Sequence, residues 1–252
     1  MNNIFDAHAH YDDKWFDENR AELLDSMENT GVCGIVNAAV NLQSTEFALK
    51  LSEKYPFIYA TTGFHPENLE DMVPDYLSKM EQFLKNPKVV AIGEIGLDYH
   101  WDIPREEQKR VFEEQLAFAK DVDAPVVVHD REAHGDTMEL LRKYRPKGLV
   151  HCFSGSVELM REVVSLGMSI SLGGVVTFKN ARRSVEVAKE IPLYRLLLET
   201  DAPYMAPEPY RGKQCNSSMI AKTAEKIAEI RGMDVQKLLD ITCENARQLY
   251  GI

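Results

Sequence analysis

The chain has 252 residues, of which 44% are hydrophobic, and this is enough for one large core or two small ones. With 40 acidic and 29 basic residues, the formal net charge is −11. A general nucleic-acid coat is therefore excluded, because such proteins need basic surface to neutralise phosphates. Nucleic acid as a substrate is not excluded, because bound metal ions can supply local positive charge.

Cysteine usage and hydropathy indicate a cytoplasmic protein without a membrane span. The cysteines are Cys33, Cys152, Cys215 and Cys243. They are far apart and include no Cys-x-x-Cys pair, so a reducing compartment without a disulfide framework is the simplest interpretation. The first residues, MNNIFD, lack the basic region and apolar stretch of a signal peptide. No apolar run approaches about 18 residues, and no obligate protein partner is evident.

Eight short apolar runs, separated by longer charged stretches, predict the strands of a parallel sheet. Near-continuous apolar runs are typical of strands that are buried on both faces. The runs are residues 4–7, 32–40, 57–62, 89–92, 125–128, 148–150, 168–172 and 196–198.

The stretches between these runs have helical periodicity. Phe112, Leu116 and Ala119, for example, recur at a spacing that places them on one helical face. Alternating strands and helices favour a single-domain (β/α)₈ TIM barrel over residues 1–252, with a doubly wound open sheet as the alternative. Residues 217–250 predict two helices, one more than the last unit of a barrel needs.

Individual residues predict where some helices begin and end. Asp17 and Ser154 are candidate N-caps, because their side-chain oxygens can accept hydrogen bonds from free backbone N–H groups. Gly31 and Gly167 are candidate helix ends, because glycine adopts the left-handed conformation that stops a helix.

Metal-ligand residue types recur at the ends of the predicted strands. His8 and His10 are two apart, so on a strand they face the same side, although an isolated His-x-His is weak evidence. Later strand ends carry further candidate ligands: Glu94, His129, His151 and Asp201. Each has a structural explanation of its own, such as a salt bridge. Together they predict a metal site, because active sites of (β/α)₈ barrels lie at the carboxyl ends of the strands.

The sequence resembles the TatD family of metal-dependent deoxyribonucleases, within the wider amidohydrolase-like metal barrels. The matching motifs run nearly end to end: Asp6-x-His8-x-His10, Gly63-Phe64-His65-Pro66, Gly93-Glu94-Ile95-Gly96-Leu97-Asp98-Tyr99, His129-Asp130-Arg131, His151-Cys152-Phe153-Ser154-Gly155, Glu199-Thr200-Asp201-Ala202-Pro203-Tyr204 and Arg211-Gly212-Lys213. The resemblance implies a (β/α)₈ barrel that binds divalent metals and cleaves DNA.

The resemblance also implies a place for each ligand. One metal would be held by His8 and His10, with Asp201 completing its site and orienting or deprotonating the attacking water. The second metal would be held by His129 and His151, and Glu94 would bridge the two ions. Imidazoles suit Zn, whereas carboxylates with water suit Mg or Mn, so we expect two divalent cations of these types.

Charge counting favours a phosphodiester substrate over a neutral amide. Two divalent ions carry four positive charges, Glu94 and Asp201 remove two, and the histidines bind as neutral imidazoles. A hydroxide and one phosphodiester would neutralise the rest, and the resemblance implies that this phosphodiester belongs to DNA. Two alternatives stay open: an ester or amide hydrolase, such as a deacylase, and a barrel that binds nucleic acid or a partner without turnover.

Three residues are candidates for substrate contact. His65 would act near the scissile phosphate, with Glu94 and Asp201 as the other catalytic residues, or it caps the loop before Pro66. Arg131 would face a phosphate or form a structural ion pair. Lys213 lies in a basic loop after Asp201 and would contact substrate or simply be solvated.

Residues beside these motifs have simpler interpretations. Trp101 would stack on a base at the rim of the site, although packing is the more frequent role of such a side chain. Cys152 is interpreted as a packing residue, not a nucleophile. Family members often carry an Asn and a Pro after the Arg-Gly-Lys loop, where this chain has Cys215 and Ser217. This departure weakens any transfer of loop contacts and leaves the predicted metal centre untouched.

Overall fold

Eight parallel strands, each paired with the next in chain order, form a nearly closed barrel in the computed structural model, which describes all 252 residues. The strands are β1 (Ile4–Ala9), β2 (Val32–Asn37), β3 (Ile58–Thr62), β4 (Val89–Asp98), β5 (Val126–Arg131), β6 (Gly148–Val150), β7 (Ser169–Leu172) and β8 (Leu196–Leu198). A parallel bridge between Ala9 and Ala202 joins the end of β1 to the segment after β8. The predicted TIM barrel is confirmed, and the doubly wound alternative is wrong.

Each strand is followed by a helix, and the last strand by two. They are α1 (Arg20–Ser26), α2 (Leu42–Lys54), α3 (Tyr76–Leu84), α4 (Arg105–Asp121), α5 (His134–Tyr144), α6 (Val157–Ser165), α7 (Arg182–Glu190), α8 (Ile220–Arg231) and α9 (Val235–Tyr250). The last two both follow β8, as residues 217–250 predicted. None of these helices combines the length and the apolar character needed to cross a membrane.

Both predicted helix-ending glycines are confirmed. Gly31 follows a short 3₁₀ helix with φ of +86°, and Gly167 follows α6 with φ of +89°. Both values lie in the left-handed region that glycine occupies without steric cost.

Both predicted N-caps are wrong, because other contacts occupy those side chains or shift the helix start. Helix α1 begins only at Arg20, and Asp17 Oδ1 accepts a hydrogen bond from the Arg20 guanidinium at 2.7 Å. Helix α6 is capped by Ser156, whose hydroxyl accepts from the Leu159 N–H at 3.3 Å. Ser154 instead lines the cleft at the carboxyl ends of the strands.

Strand β4 continues well beyond the apolar run that predicted it. Pairing with β5 is interrupted after Ile92 and resumes at Ile95, and Glu94 lies within the interruption. The Glu94 N–H donates instead to the Ala39 carbonyl, in the loop after β2, at 2.6 Å. The irregular pairing thus turns the Glu94 side chain towards the mouth of the barrel, among the other candidate ligands.

The amino-terminal ends of the strands are covered by α9. Gln236 and Asp240 in α9 form hydrogen bonds with Asn2 and Asn3, just before β1. The Tyr250 hydroxyl donates to the backbone carbonyl of Ala7 in β1 at 2.9 Å. Only the carboxyl ends of the strands are therefore open to substrate, in line with other (β/α)₈ barrels.

Candidate metal centre

The predicted ligands lie at the carboxyl ends of five strands, and their side chains point to a common centre. His8, Glu94 and His129 lie within β1, β4 and β5, whereas the other three follow β1, β6 and β8. The structure brings together all six: His8, His10, Glu94, His129, His151 and Asp201.

The first group of donor atoms comes from His8, His10 and Asp201. The two Nε2 atoms are 3.1 Å apart, and they lie 3.6 and 3.4 Å from Asp201 Oδ1. Glu94 Oε2 lies 3.3 Å from His8 Nε2 and 3.4 Å from His10 Nε2. Donors bound about 2.1 Å from one ion lie roughly 3.0–3.5 Å from each other, so these four atoms have the spacing of one coordination sphere.

The second group surrounds the other oxygen of Glu94. His129 Nδ1 and His151 Nε2 lie 2.7 and 2.8 Å from Glu94 Oε1, and 3.2 Å from each other. His65 Nε2 lies 3.4 Å from the same oxygen. The two oxygens of Glu94 therefore face two different clusters of histidine nitrogens.

The outer nitrogens of two histidines indicate that this centre fits a metal. His10 Nδ1 lies 3.0 Å from the Ala38 carbonyl oxygen, and His129 Nε2 lies 3.0 Å from Asp98 Oδ2. Each of these nitrogens donates its N–H to the oxygen, so the other nitrogen directs a lone pair at the carboxylates. A lone pair that faces Glu94 Oε1 is repelled unless a proton is shared between the two atoms or both are bound to a metal ion. Metal-bound histidines have this arrangement of an outer acceptor and an inner lone pair.

The charges in the centre are strongly coupled. Burial opposes ionisation of Asp201, but the hydrogen bond and charge of His10 outweigh it and lower the Asp201 pKa to about 2. Burial likewise lowers the pKa of His10, but Asp201 and Glu94 raise it to about 9. For Glu94, burial is outweighed by His151 and the other histidines, which hold its pKa well below the usual range. Protons and metal ions therefore compete for the same imidazole lone pairs.

Glu199 is a neighbour of the centre that the sequence reasoning did not select. Its Oε1 accepts from the Cys152 N–H at 2.6 Å and lies 3.7 Å from His151 Nδ1. Neither that nitrogen nor His8 Nδ1 has a hydrogen-bond partner, although both are buried. Glu199 belongs to the same strand-end motif as Asp201, so the second acid of that motif was the available signal.

A buried carboxylate also fastens the end of β8 to β1. Asp6 Oδ1 accepts from the Thr200 N–H at 2.9 Å, and Oδ2 accepts from the Thr200 hydroxyl at 2.6 Å. The Ser217 hydroxyl also donates to Oδ2, at 2.7 Å. Burial raises the pKa of Asp6 to about 7 despite these hydrogen bonds. Ser217, which departs from the family pattern, thus supports the chain beside Asp201.

Backbone strain marks three positions around the centre. Cys152 follows His151, Asp201 is itself a candidate ligand, and Met205 lines the cleft; their φ angles are +42°, +59° and +49°. Residues other than glycine rarely occupy this left-handed region, and its cost is tolerated mainly at functional sites. Composition and hydropathy contain no signal for this strain.

A cleft of about 710 Å³ lies over the centre. Its walls carry further carboxylates from Asp12, Asp13, Glu67 and Asp130, and Arg131 is the only lysine or arginine among the lining residues. The cleft is thus strongly negative before any metal ion binds.

His65 caps a loop helix and also faces the centre, and its role near a phosphate stays a prediction. Its Nδ1 accepts the Glu67 N–H at 3.1 Å, so the side chain caps the short 3₁₀ helix Pro66–Asp71. That contact leaves the proton on Nε2, which faces Glu94 in the centre. A capping residue therefore also presents an N–H donor to the cleft.

The two basic candidates occupy different positions. Arg131 lines the cleft, with its Nη1 3.9 Å from Asp98 Oδ2 and its guanidinium 6.0 Å from the centre of the Trp101 ring. Trp101 also lines the cleft and is 48% exposed, so it is not fully used in packing. Lys213 is exposed, does not line the cleft, and lies 5.8 Å from the centre of the Tyr210 ring. Its contact with substrate stays a prediction.

Comparison with known proteins places this barrel and its strand-end motifs in a family. A family model described as TatD related DNase matches residues 5–251. The chain belongs to the TatD family. It is similar to the uncharacterized metal-dependent hydrolase YabD of Bacillus subtilis, with 41% identity and 99% of each chain covered.

Two further TatD relatives extend the comparison. The 3′-5′ ssDNA/RNA exonuclease TatD of Rahnella is 33% identical, with 94% of each chain covered. The crystal structure of YjjV, a TatD homologue from Escherichia coli, superposes with a TM-score of 0.92 at 32% identity, covering 99% of this chain and 98% of that one. The protein is therefore a metal-dependent hydrolase of the TatD family with a TIM-barrel fold.

Proposed function

We propose that this TatD protein hydrolyses phosphodiester bonds of DNA at a two-metal centre, acting at strand ends. The observation that carries the proposal is the position of Glu94, whose two oxygens face two different groups of histidine nitrogens at 2.7–3.4 Å. In this proposal His8, His10 and Asp201 would hold one ion, His129 and His151 would hold the other, and Glu94 would be a ligand to both.

Two bound divalent cations would lower the pKa of a water molecule and clamp the attacking and leaving oxygens of the phosphodiester. Asp201 remains ionised at neutral pH, because its pKa is lowered to about 2. Its carboxylate would accept a hydrogen bond from the attacking water and orient it towards phosphorus. The His65 Nε2–H, 3.4 Å from Glu94, would donate to an oxygen of the scissile phosphate.

The cleft offers few side chains that could contact a nucleic acid, so it favours a substrate that is bound through one phosphate and one base. Arg131, its only lysine or arginine, would pair with a phosphate oxygen. Trp101 would stack on an unpaired base, an interaction that tolerates any base because every base has a π-face. Lys213 lies outside the cleft, so it would meet only a longer strand. The exonuclease name of the Rahnella relative also supports a nucleic-acid substrate.

The test is hydrolysis of end-labelled single-stranded and duplex DNA in Mn, Zn or Mg. We expect activity that chelation removes and that Glu94→Gln lowers by at least about a thousandfold, because both ions lose their shared ligand. Glu158→Gln, at the exposed start of α6, is the matched control and should retain full activity. Activity that persists after exhaustive chelation, or in Glu94→Gln, would contradict the proposal. Anomalous scattering at the metal edges would count the ions.

A second candidate is an ester or amide hydrolase, such as a deacylase, on the same metal pair. The carboxylates of Asp12, Asp13, Glu67 and Asp130 favour it, because they repel a polyanion and accept an uncharged or cationic substrate. Assaying an ester and amide panel beside the DNA panel separates the two. Turnover of the first panel alone would select this candidate, whereas tight DNA binding without turnover would indicate a binding protein.

A further inference from the structure

Two cysteines meet at the end of the barrel opposite the metal centre. Cys33 is the second residue of β2, and Cys243 lies in α9, which covers the amino-terminal ends of the strands. Their sulfur atoms are 3.6 Å apart although the residues are 210 positions apart in the chain. Both are free thiols, and Cys33 is only partly buried. Neither belongs to the catalytic proposal, so nothing above accounts for their contact.

The surroundings favour a thiolate on one member of the pair. The two sulfurs share a hydrogen bond in which either can be the donor, and this contact together with Arg247 lowers the pKa of Cys243 against the effect of burial. Burial raises the pKa of the other two thiols, Cys152 and Cys215, away from neutrality. Thiolate character controls the reactivity of cysteine, so the four thiols are not equivalent.

We propose that Cys33 and Cys243 form a reversible disulfide bond, with a small peroxide as the oxidant, which fastens α9 to β2. The pair is a modification site built from side chains that are already in contact. A disulfide needs an S–S distance of about 2.05 Å, so the sulfurs must approach by about 1.5 Å, which side-chain rotation can supply.

The chemistry balances in two steps. The Cys243 thiolate attacks one peroxide oxygen; the S–O bond forms, the O–O bond breaks, and hydroxide leaves, giving a sulfenic acid. The Cys33 sulfur then attacks the sulfenic sulfur; the S–S bond forms, the S–O bond breaks, and water leaves with the proton from Cys33. Two thiols are oxidised, and one peroxide is reduced to two waters.

The bond would stabilise the fold without touching the metal centre. It closes a loop of 210 positions, and cross-linking a long loop restricts the unfolded chain. We therefore expect a higher Tm after oxidation and unchanged hydrolase turnover. Failure of the proposed hydrolase activity would leave this inference intact, because its readouts are thiol counts and Tm.

The experiment exposes the reduced full chain to hydrogen peroxide and then counts thiols in denaturant. We expect the count to fall from four to two and to return to four with a dithiol reductant. Peptide mapping of the oxidised wild type should recover Cys33 linked to Cys243. Cys243→Ser should abolish both the linked peptide and the rise in Tm, whereas the matched control Cys215→Ser should preserve them.

In Cys33→Ser, which removes the resolving thiol, dimedone should trap Cys243 as the sulfenic acid. Three results would overturn the inference. They are an oxidised wild type without the linked peptide, equal loss of all four thiols, and cross-links between chains in place of the internal one. The wild-type peptide map decides the matter even if a serine variant fails to fold.

Discussion

Asp98 accepts a hydrogen bond from the outer ring nitrogen of His129: Asp98 Oδ2 lies 3.0 Å from His129 Nε2, while His129 Nδ1 faces Glu94 in the centre. Asp98 is fully buried at the last position of β4, and its backbone N–H donates to the Gln108 side-chain oxygen at 2.8 Å. This contact fixes both the tautomer and the direction of the ring, so Asp98 is a positioning residue for the candidate metal centre.

Removing this carboxylate should weaken metal binding. We expect Asp98→Ala to reduce metal affinity about 10–100-fold, because His129 loses the acceptor that orients it. Calorimetric titration of the purified protein with Zn or Mn measures the change. Asp136→Ala is the control, since Asp136 bonds the Tyr99 hydroxyl on the surface side of the barrel. Equal affinities in wild type and Asp98→Ala would refute this role.

Asp6 should be important mainly for stability. Asp6→Ala removes the acceptor of the Thr200 N–H and of the Thr200 hydroxyl and leaves these two buried donors unpaired, whereas the Ser217 hydroxyl keeps its contact with the Tyr11 hydroxyl. We expect the free energy of unfolding to fall by about 3 kcal/mol, since each buried donor without a partner costs about 1–3 kcal/mol. Urea denaturation measures it. The hydrogen bonds of Asp240 are exposed, so Asp240→Ala should lower the free energy of unfolding by less than about 1 kcal/mol. Equal losses in the two variants would contradict a stabilising role of the Asp6 hydrogen bonds.

Trp101 should contribute to substrate binding more than to the chemical step. Trp101→Ala should raise KM for a single-stranded oligonucleotide by about tenfold, the value of one base stacked on an aromatic ring, and leave kcat nearly unchanged. Steady-state kinetics separates the two constants. Tyr194→Ala provides the control, because Tyr194 is 65% exposed and precedes β8 at the opposite end of the barrel. An unchanged KM would contradict base stacking and indicate that Trp101 only packs against its neighbours.

Two glycine-to-alanine substitutions should change the stability of the fold in opposite directions. A Cβ at Gly34 would lie 2.2 Å from the buried Phe5 ring, so Gly34→Ala should destabilise the fold by about 1–3 kcal/mol through overpacking. At Gly135, in α5, a Cβ would meet nothing within 4 Å. Gly135→Ala should stabilise the fold by about 0.5–1 kcal/mol, since alanine favours helix. Thermal denaturation of both variants tests the pair, and a destabilised Gly135→Ala would be unexpected.

The barrel and the meeting of its ligands were predictable because both depend on local pattern. Apolar runs identified eight strands, and parallel strands bring their carboxyl ends to one edge, so polar residues at those ends had to meet. The resemblance then supplied roles for His8, His10, Glu94, His129, His151 and Asp201. Roles within the set remain proposals, because they depend on bound ions.

Contacts that depend on three-dimensional placement were not predictable. Asp98 supports the outer nitrogen of His129 only because β4 extends past its apolar run, and Glu199 lies near His151 only because the ends of β6 and β8 meet in the barrel mouth. The N-cap predictions failed because Asp17 and Ser154 have suitable side chains but neighbouring residues set the helix starts. The contact of Cys33 with Cys243 spans almost the whole chain, so no spacing rule reveals it.

The donor atoms of the centre come from residue 8 near one end of the chain to residue 201 near the other. They meet only after β8 is in place and Thr200 has reached Asp6. A growing polypeptide therefore lacks an assembled centre until most of its length has been synthesised and the barrel has closed. Assembly of the proposed catalytic centre is thereby tied to completion of the fold.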